Sequence, residues 1–119
     1  MKRYFQPEIE CASRDEIHKI QSERLVKQVR NVWDNVPMYR KKMEEKGLTP
    51  EDIKSVDDLP KLPFIEKDDL RDEYPYGLLA RPLSECVRIQ STSGTTGRRV
   101  VAFYTQHDID LWEDCCARA

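Results

Sequence analysis

The sequence predicts an α+β chain, mainly helical, with a β-hairpin that carries a Ser/Thr/Gly-rich loop. Three observations lead there. Apolar residues recur at helical spacing from Ile17 to Val36. A strand, loop, strand pattern surrounds the stretch from Ser91 to Arg99. Helix-start signatures recur along the chain, at Ser13, Thr49 and Thr105.

The totals bound the rest. A chain of 119 residues is enough for one small domain, and no Pro- or Gly-rich linker divides it. With 39% hydrophobic and 35% charged residues, the surface is highly charged and the core small. A net charge of −2 argues against a general nucleic-acid binder and an electrostatic membrane anchor, so neither partner is expected. No apolar run approaches transmembrane length, and no hydrophobic region follows the basic start, as a signal peptide would require. The four cysteines, Cys11, Cys86, Cys115 and Cys116, form no C-x-x-C pair. The two histidines, His18 and His107, lie far apart, so no metal site is expected. Free thiols without a secretion signal fit a reducing cytoplasm.

Residues 1 to 12 read as an irregular lead-in. Ser13 and Glu16 form a capping box, and a helix runs from there to about Val36. Ile17, Ile20, Leu25, Val29, Val32 and Val36 make its apolar stripe, widened by Trp33, while Lys19, Glu23, Lys27 and Arg30 face water. Pro37 interrupts the pattern. A second helix from about Met38 to Lys46 stops at Gly47. Thr49 and Pro50 open a short helix. Ser55 to Asp58 offers a further capping turn. Leu59 to Phe64 is expected to be extended, because it contains two prolines. Glu66 to about Asp72 reads as one or two helical turns, stopped by Tyr74-Pro75-Tyr76-Gly77. Cys86 to Gln90 and Val100 to Tyr104 read as the strands of the hairpin. Thr105 with Asp108 caps a last helix that reaches Ala119 without a stop signal, as though the chain were cut inside an element.

The loop is the most informative stretch. Thr92-Ser93-Gly94-Thr95-Thr96-Gly97-Arg98-Arg99 combines hydroxyls, glycines and arginines. Such a loop can turn backbone N–H groups and hydroxyls toward one anion, and the arginines add charge and bidentate contacts. It is not a Walker A loop, because only Thr95 and Thr96 separate the glycines and a strand follows, which also removes the helix dipole. On composition alone, an ordinary decorated hairpin turn stands level with an anion cradle.

The flanking residues add a resemblance. Thr92 to Gly97 resembles the phosphate-loop signature of adenylate-forming enzymes. Asn35-x-Pro37-x-Tyr39-Arg40, Leu62-Pro63-Phe64, Lys67-x-Asp69-Leu70-Arg71, Tyr74-Pro75-Tyr76-Gly77-Leu78 and Tyr104-Thr105 resemble the phenylacetate–CoA ligase family, in order and over nearly the whole chain. The resemblance implies that residues 1–119 are about the first quarter of a full ligase, the N-terminal part of its large AMP-binding domain. It implies ATP, Mg²⁺ and coenzyme A as co-substrates and cofactor, and a small aryl carboxylic acid that is activated as an acyl-adenylate and then made a thioester. Thr92, Ser93, Gly94, Thr95, Thr96, Gly97 and Arg98 would hold the ATP phosphates. Arg98-Arg99 stands where the family commonly has Lys-Pro. Arg98 keeps the charge and Arg99 loses the stiffening proline.

No catalytic residue is assigned. The acyl pocket and lid lysine of the family lie outside these residues, so the chain alone is expected not to complete catalysis. Lys67, Asp69 and Arg71 are expected to pair locally on a helix face, and Tyr74 and Tyr76 to pack. Helix faces bearing Trp33 and Trp112 are expected to be exposed and to drive self-association. Two rival readings remain: an adenylating enzyme for another acid or acceptor, and a non-catalytic helical interaction module with a decorative hairpin.

Overall fold

The computed structural model describes residues 3–95, 97 and 99–119. Its spine is α2 (Arg14–Asn35), preceded by a single turn, α1 (Pro7–Glu10). The lead-in is thus not wholly irregular. Pro7 occupies the first turn of α1, where a missing N–H costs nothing, and the Glu10 carboxylate accepts the Phe5 and Gln6 N–H groups at 3.0 and 2.8 Å.

The capping box that starts α2 is formed in full. Glu16 N–H donates to Ser13 Oγ at 3.2 Å, and Ser13 N–H donates to Glu16 Oε2 at 2.7 Å. That backbone donor holds the Glu16 carboxyl below its ordinary range. The helix stops at Val36 and the chain turns directly into α3 (Pro37–Glu45), with Pro37 as its first residue. At the other end Gly47 takes a φ of +69°. Leu48 N–H donates to the Met43 carbonyl at 2.9 Å and Gly47 N–H to the Glu44 carbonyl at 2.8 Å, a Schellman closure.

This closure folds Leu48 back on the core. Val29, Met43, Ile53 and Leu62 are buried together, with Leu25, Trp33, Tyr39 and Leu48 around them. Trp33 is therefore half-buried rather than exposed, and the Arg40 guanidinium covers its ring at 4.9 Å. The expected short helix after Thr49 is a single turn of 3₁₀ helix, Pro50–Asp52, which presents Ile53 to the core.

Residues 59 to 64 depart from expectation. A 3₁₀ helix spans Val56–Lys61 and includes Pro60, and only from Leu62 onward is the chain extended. The proline ring fixes φ near a value that a 3₁₀ turn also uses, and Pro60 deprives the turn of a single donor. Asp58 holds this turn in place. It accepts Lys54 N–H at 2.8 Å and Ser55 N–H at 3.2 Å, and pairs with Lys61 Nζ at 2.6 Å. Lys61 first, then the Lys54 N–H, pull its carboxyl from 3.8 down to about 2.

Longer-range clasps tie these pieces to the helices. Ser22 Oγ accepts Val56 N–H at 3.0 Å, and Tyr39 donates its hydroxyl to the Pro63 carbonyl at 3.0 Å. Burial pushes the Tyr39 phenol up. In α4 (Lys67–Asp72), Asp69 accepts Glu66 N–H at 2.8 Å and bridges Lys42 of α3 at 2.8 Å. The Glu66 N–H, then Lys42, hold its carboxyl below the ordinary range. Arg71 pairs with Asp68 at 3.0 Å on its own helix. Asp69 is thus structural as expected, but its cationic partner lies on another helix.

The hairpin consists of β1 (Cys86–Ser91) and β2 (Val101–Thr105), antiparallel, with Ser91 opposite Val101 and Ile89 opposite Phe103. Thr105 ends β2 and caps α5 (Gln106–Arg118): its Oγ1 accepts Asp108 N–H at 3.3 Å, and its N–H donates to Asp108 Oδ2 at 2.8 Å. Tyr104 packs on Trp112 of α5 with ring centroids 5.7 Å apart, and Phe103 on Tyr76 at 5.6 Å. Trp112 remains exposed, as do Val87 and Ile89 of β1. No helix among the described residues is long and apolar enough to cross a membrane.

Two outcomes follow. Met43 has 0% of its surface exposed, so Met43→Ala should cost about 3 kcal/mol, read from the urea midpoint. A conservative exposed change such as Lys41→Gln should leave the midpoint in place. The depressed carboxyl of Asp58 contributes stability that is complete above its unfolded value of 3.8 and is lost as pH falls through about 2. Asp58→Ala should therefore lower the midpoint at neutral pH, and its gap to the parent should narrow steadily below about pH 4. A gap independent of pH would assign the loss to packing instead.

Candidate functional site

The loop from Thr92 to Val100 hangs from the open end of the hairpin. Regular strand pairing ends at Ser91 and Val101 because Gly94 and Gly97 follow, with positive φ of +71° and +136°. Before the chain leaves the strands it is fastened once more. Thr92 N–H donates to the Val100 carbonyl at 3.0 Å, and Val100 N–H donates to Thr92 Oγ1 at 3.1 Å. Thr92 Oγ1 thus gives one acceptor position to closing the loop and keeps its hydroxyl proton for donation. Gly97 N–H donates to the Gly94 carbonyl at 3.3 Å, which makes a tight turn at the tip.

Of the expected anion-binding residues, the fold brings Thr92, Ser93, Gly94, Thr95 and Gly97 into this one loop. Ser93, Thr95 and Gly97 are exposed and Gly94 is half-covered. Thr96 and Arg98 lie outside the described residues. What covers Gly94 is the side chain of Arg99. A Cβ built on Gly94 would meet Arg99 Cγ at 2.7 Å, the Gly97 carbonyl oxygen at 3.3 Å and Arg99 Nε at 3.5 Å. The sequence marked Arg99 as charge gained and a proline lost. Its position across the loop was not readable from spacing. The loop can offer an incoming anion hydroxyl protons and guanidinium N–H groups on a short, clasped frame.

A second constellation has the residue types of a catalytic relay. His18 Nε2 lies 3.1 Å from both Asp57 carboxylate oxygens, and Ser22 is one turn along α2. The Ser22 hydroxyl, however, donates to the His18 carbonyl at 2.8 Å and accepts Val56 N–H, so it is committed to backbone. Among the described residues no nucleophile is bonded to that ring, and the pair ties α2 to the Val56–Lys61 turn. The described cysteines are all free thiols. Among the described residues no three His, Cys, Asp or Glu side chains gather into a metal-holding group.

No family model matches the chain. Individual relatives do. It is 49% identical over 111 residues to the phenylacetate–coenzyme A ligase of Aromatoleum evansii, covering 93% of this chain and 25% of that protein. It is 45% identical over 111 residues to the enzyme of that name from Escherichia coli, with the same coverage. The counterpart from Thermus thermophilus is 41% identical over 115 residues, covering 97% of this chain and 26% of the relative. Among solved structures, the chain superposes with a TM-score of 0.87 and 32% identity on a crystal structure of 2-hydroxyisobutyryl-CoA ligase in complex with 2-HIB-AMP and CoA. That match covers 98% of this chain and 26% of the ligase. By sequence and by fold, over nearly all of its residues, the chain is similar to phenylacetate–coenzyme A ligases, and it spans about a quarter of their length.

Proposed function

We propose that the chain is the phosphate-gripping portion of an ATP-dependent acid–coenzyme A ligase, and that the acid is a small aryl carboxylic acid of the phenylacetate kind. One observation carries the reading. A clasped hairpin loop of hydroxyls, two positive-φ glycines and arginines stands in a chain that matches ligases over 93% or more of its residues.

The chemistry needs such a loop. The acid's carboxylate oxygen attacks the α-phosphorus of ATP, the bond to the bridging oxygen breaks, and pyrophosphate leaves with the electron pair. The thiol of coenzyme A then attacks the acyl carbon and AMP departs. Charge grows on the leaving phosphates in the first step, where fixed donors have most effect. Ser93, Thr95 and Thr96 would present hydroxyls there, Gly94 and Gly97 would let the backbone approach, and Arg98 would add charge. Thr92 would hold the frame through Val100. Mg²⁺ would supply further charge neutralisation on the triphosphate.

A second reading has its own support. The 2-hydroxyisobutyryl-CoA ligase acts, by its name, on an aliphatic hydroxy acid, and it is 32% identical to this chain. The loop touches only the nucleotide, so it is compatible with either acid. A non-catalytic helical module is disfavoured by the ligase matches, which run through the loop as well as the helices.

The expected outcomes are specific. The chain alone should give no carboxylate-dependent ATP–pyrophosphate exchange; robust exchange would overturn that expectation. Placed in the corresponding quarter of the Escherichia coli ligase, it should restore phenylacetate-dependent exchange. Gly94→Ala in that chimera should lower exchange by about a hundredfold, through displaced backbone rather than lost folding. Unchanged exchange and ATP affinity in Gly94→Ala and Arg98→Gln would defeat the phosphate-loop reading.

A further inference from the structure

From Glu85 to Asp108 the sequence passes through 22 residues with no carboxylate between them, though the chain holds 22 Asp and Glu in all. The same stretch holds Arg88, Arg98 and Arg99. A chain of net charge −2 therefore carries a locally cationic hairpin, and the charge is densest at the loop.

Within that loop Arg99 has a built seat. Its Cγ occupies the space that a side chain at position 94 would need. Gly94 is thus required twice over, once for its φ of +71° and once to leave room for the Arg99 stem. The turn from Gly94 to Gly97 closes beside it and the Thr92–Val100 clasp fixes the chain on the other flank. Among the ion pairs of the described residues, none engages Arg99. The residue itself is exposed at the loop surface.

We propose that Arg99, seated on Gly94, is a second anion-gripping residue of this loop and acts on the β- and γ-phosphates of the nucleotide. The proposal rests on the function proposed above. A guanidinium presents a planar fork of N–H donors that spans two phosphate oxygens, a geometry that the point charge of a lysine lacks. A stem already laid against the backbone has less rotamer freedom left to lose on binding. The Arg99 stem thus packs against Gly94 at a position where a proline would restrict the chain by ring geometry. Its guanidinium favours pyrophosphate, on which charge collects, over intact ATP.

The test uses the 119-residue chain and inorganic pyrophosphate, followed by amide chemical shifts of the loop, with AMP as the comparison anion. The parent chain should bind pyrophosphate, and Arg99→Gln should weaken that binding roughly tenfold while leaving the thermal midpoint unchanged. Arg99→Lys should recover part of the loss. AMP, which lacks the β- and γ-phosphates, should be affected little by either change. Gly94→Ala should weaken pyrophosphate binding too, and combined with Arg99→Gln it should fall short of the product of the single effects, because seat and side chain act as one. If the parent binds and Arg99→Gln binds equally well, the role of Arg99 is overturned and the loop reading stands. If the parent chain shows no pyrophosphate binding, both are overturned.

Discussion

Everything in the helical part depends on the burial of one flexible side chain. Met43 is sealed where α2, α3, the Pro50–Asp52 turn and the Val56–Lys61 turn converge. An unbranched thioether suits a junction of four short elements, because it fills an irregular space that a β-branched residue could not. The Schellman closure after α3 takes its acceptor from the Met43 carbonyl. The same residue thus supplies the core contact and anchors the backbone turn that returns the chain to it. With so few fully buried side chains, the remaining order comes from local caps and long-range clasps such as Lys42–Asp69 and Ser22–Val56.

The hairpin is held differently. It buries little: Val87 and Ile89 are 58% and 61% exposed. It is fixed by aromatic contacts on its two sides, Tyr76 against Phe103 and Tyr104 against Trp112. A two-stranded sheet is marginal by itself in water, so these contacts and α5 set how rigidly the loop is presented. The site is accordingly built on backbone closure, with Thr92 and Gly94 shaping it and the exposed hydroxyls and arginine giving it chemistry.

What was legible in the sequence was whatever is decided within a few residues. Ser13 with Glu16, Gly47 after α3, and Thr105 with Asp108 each place donor and acceptor one helical turn apart, so spacing alone exposes them. The hairpin was legible because β-branched and aromatic residues flank a polar glycine run. Non-local pairing was not. Lys42 meets Asp69 across 27 positions, and no local pattern announces it. Pro60 misled because proline forbids an α-helix interior yet fits a 3₁₀ turn. In the loop, residue types announced a polar glycine turn, while the clasp through Thr92 and the seat of Arg99 depend on register and on a positive φ that composition only permits.

Thr105 is at once the last residue of β2 and the cap of α5, so no joint separates strand from helix. The helix therefore leaves the strand directly, with the Ser/Thr/Gly loop at the strand's other end. A helix of 13 residues extends roughly 20 Å, to Arg118 at its far end. There Arg118 is hydrogen-bonded to Gln6, beside α1. The Thr105 cap and the Arg118–Gln6 bond thus fasten α5 at both of its ends, to the hairpin at one and to the start of the chain at the other.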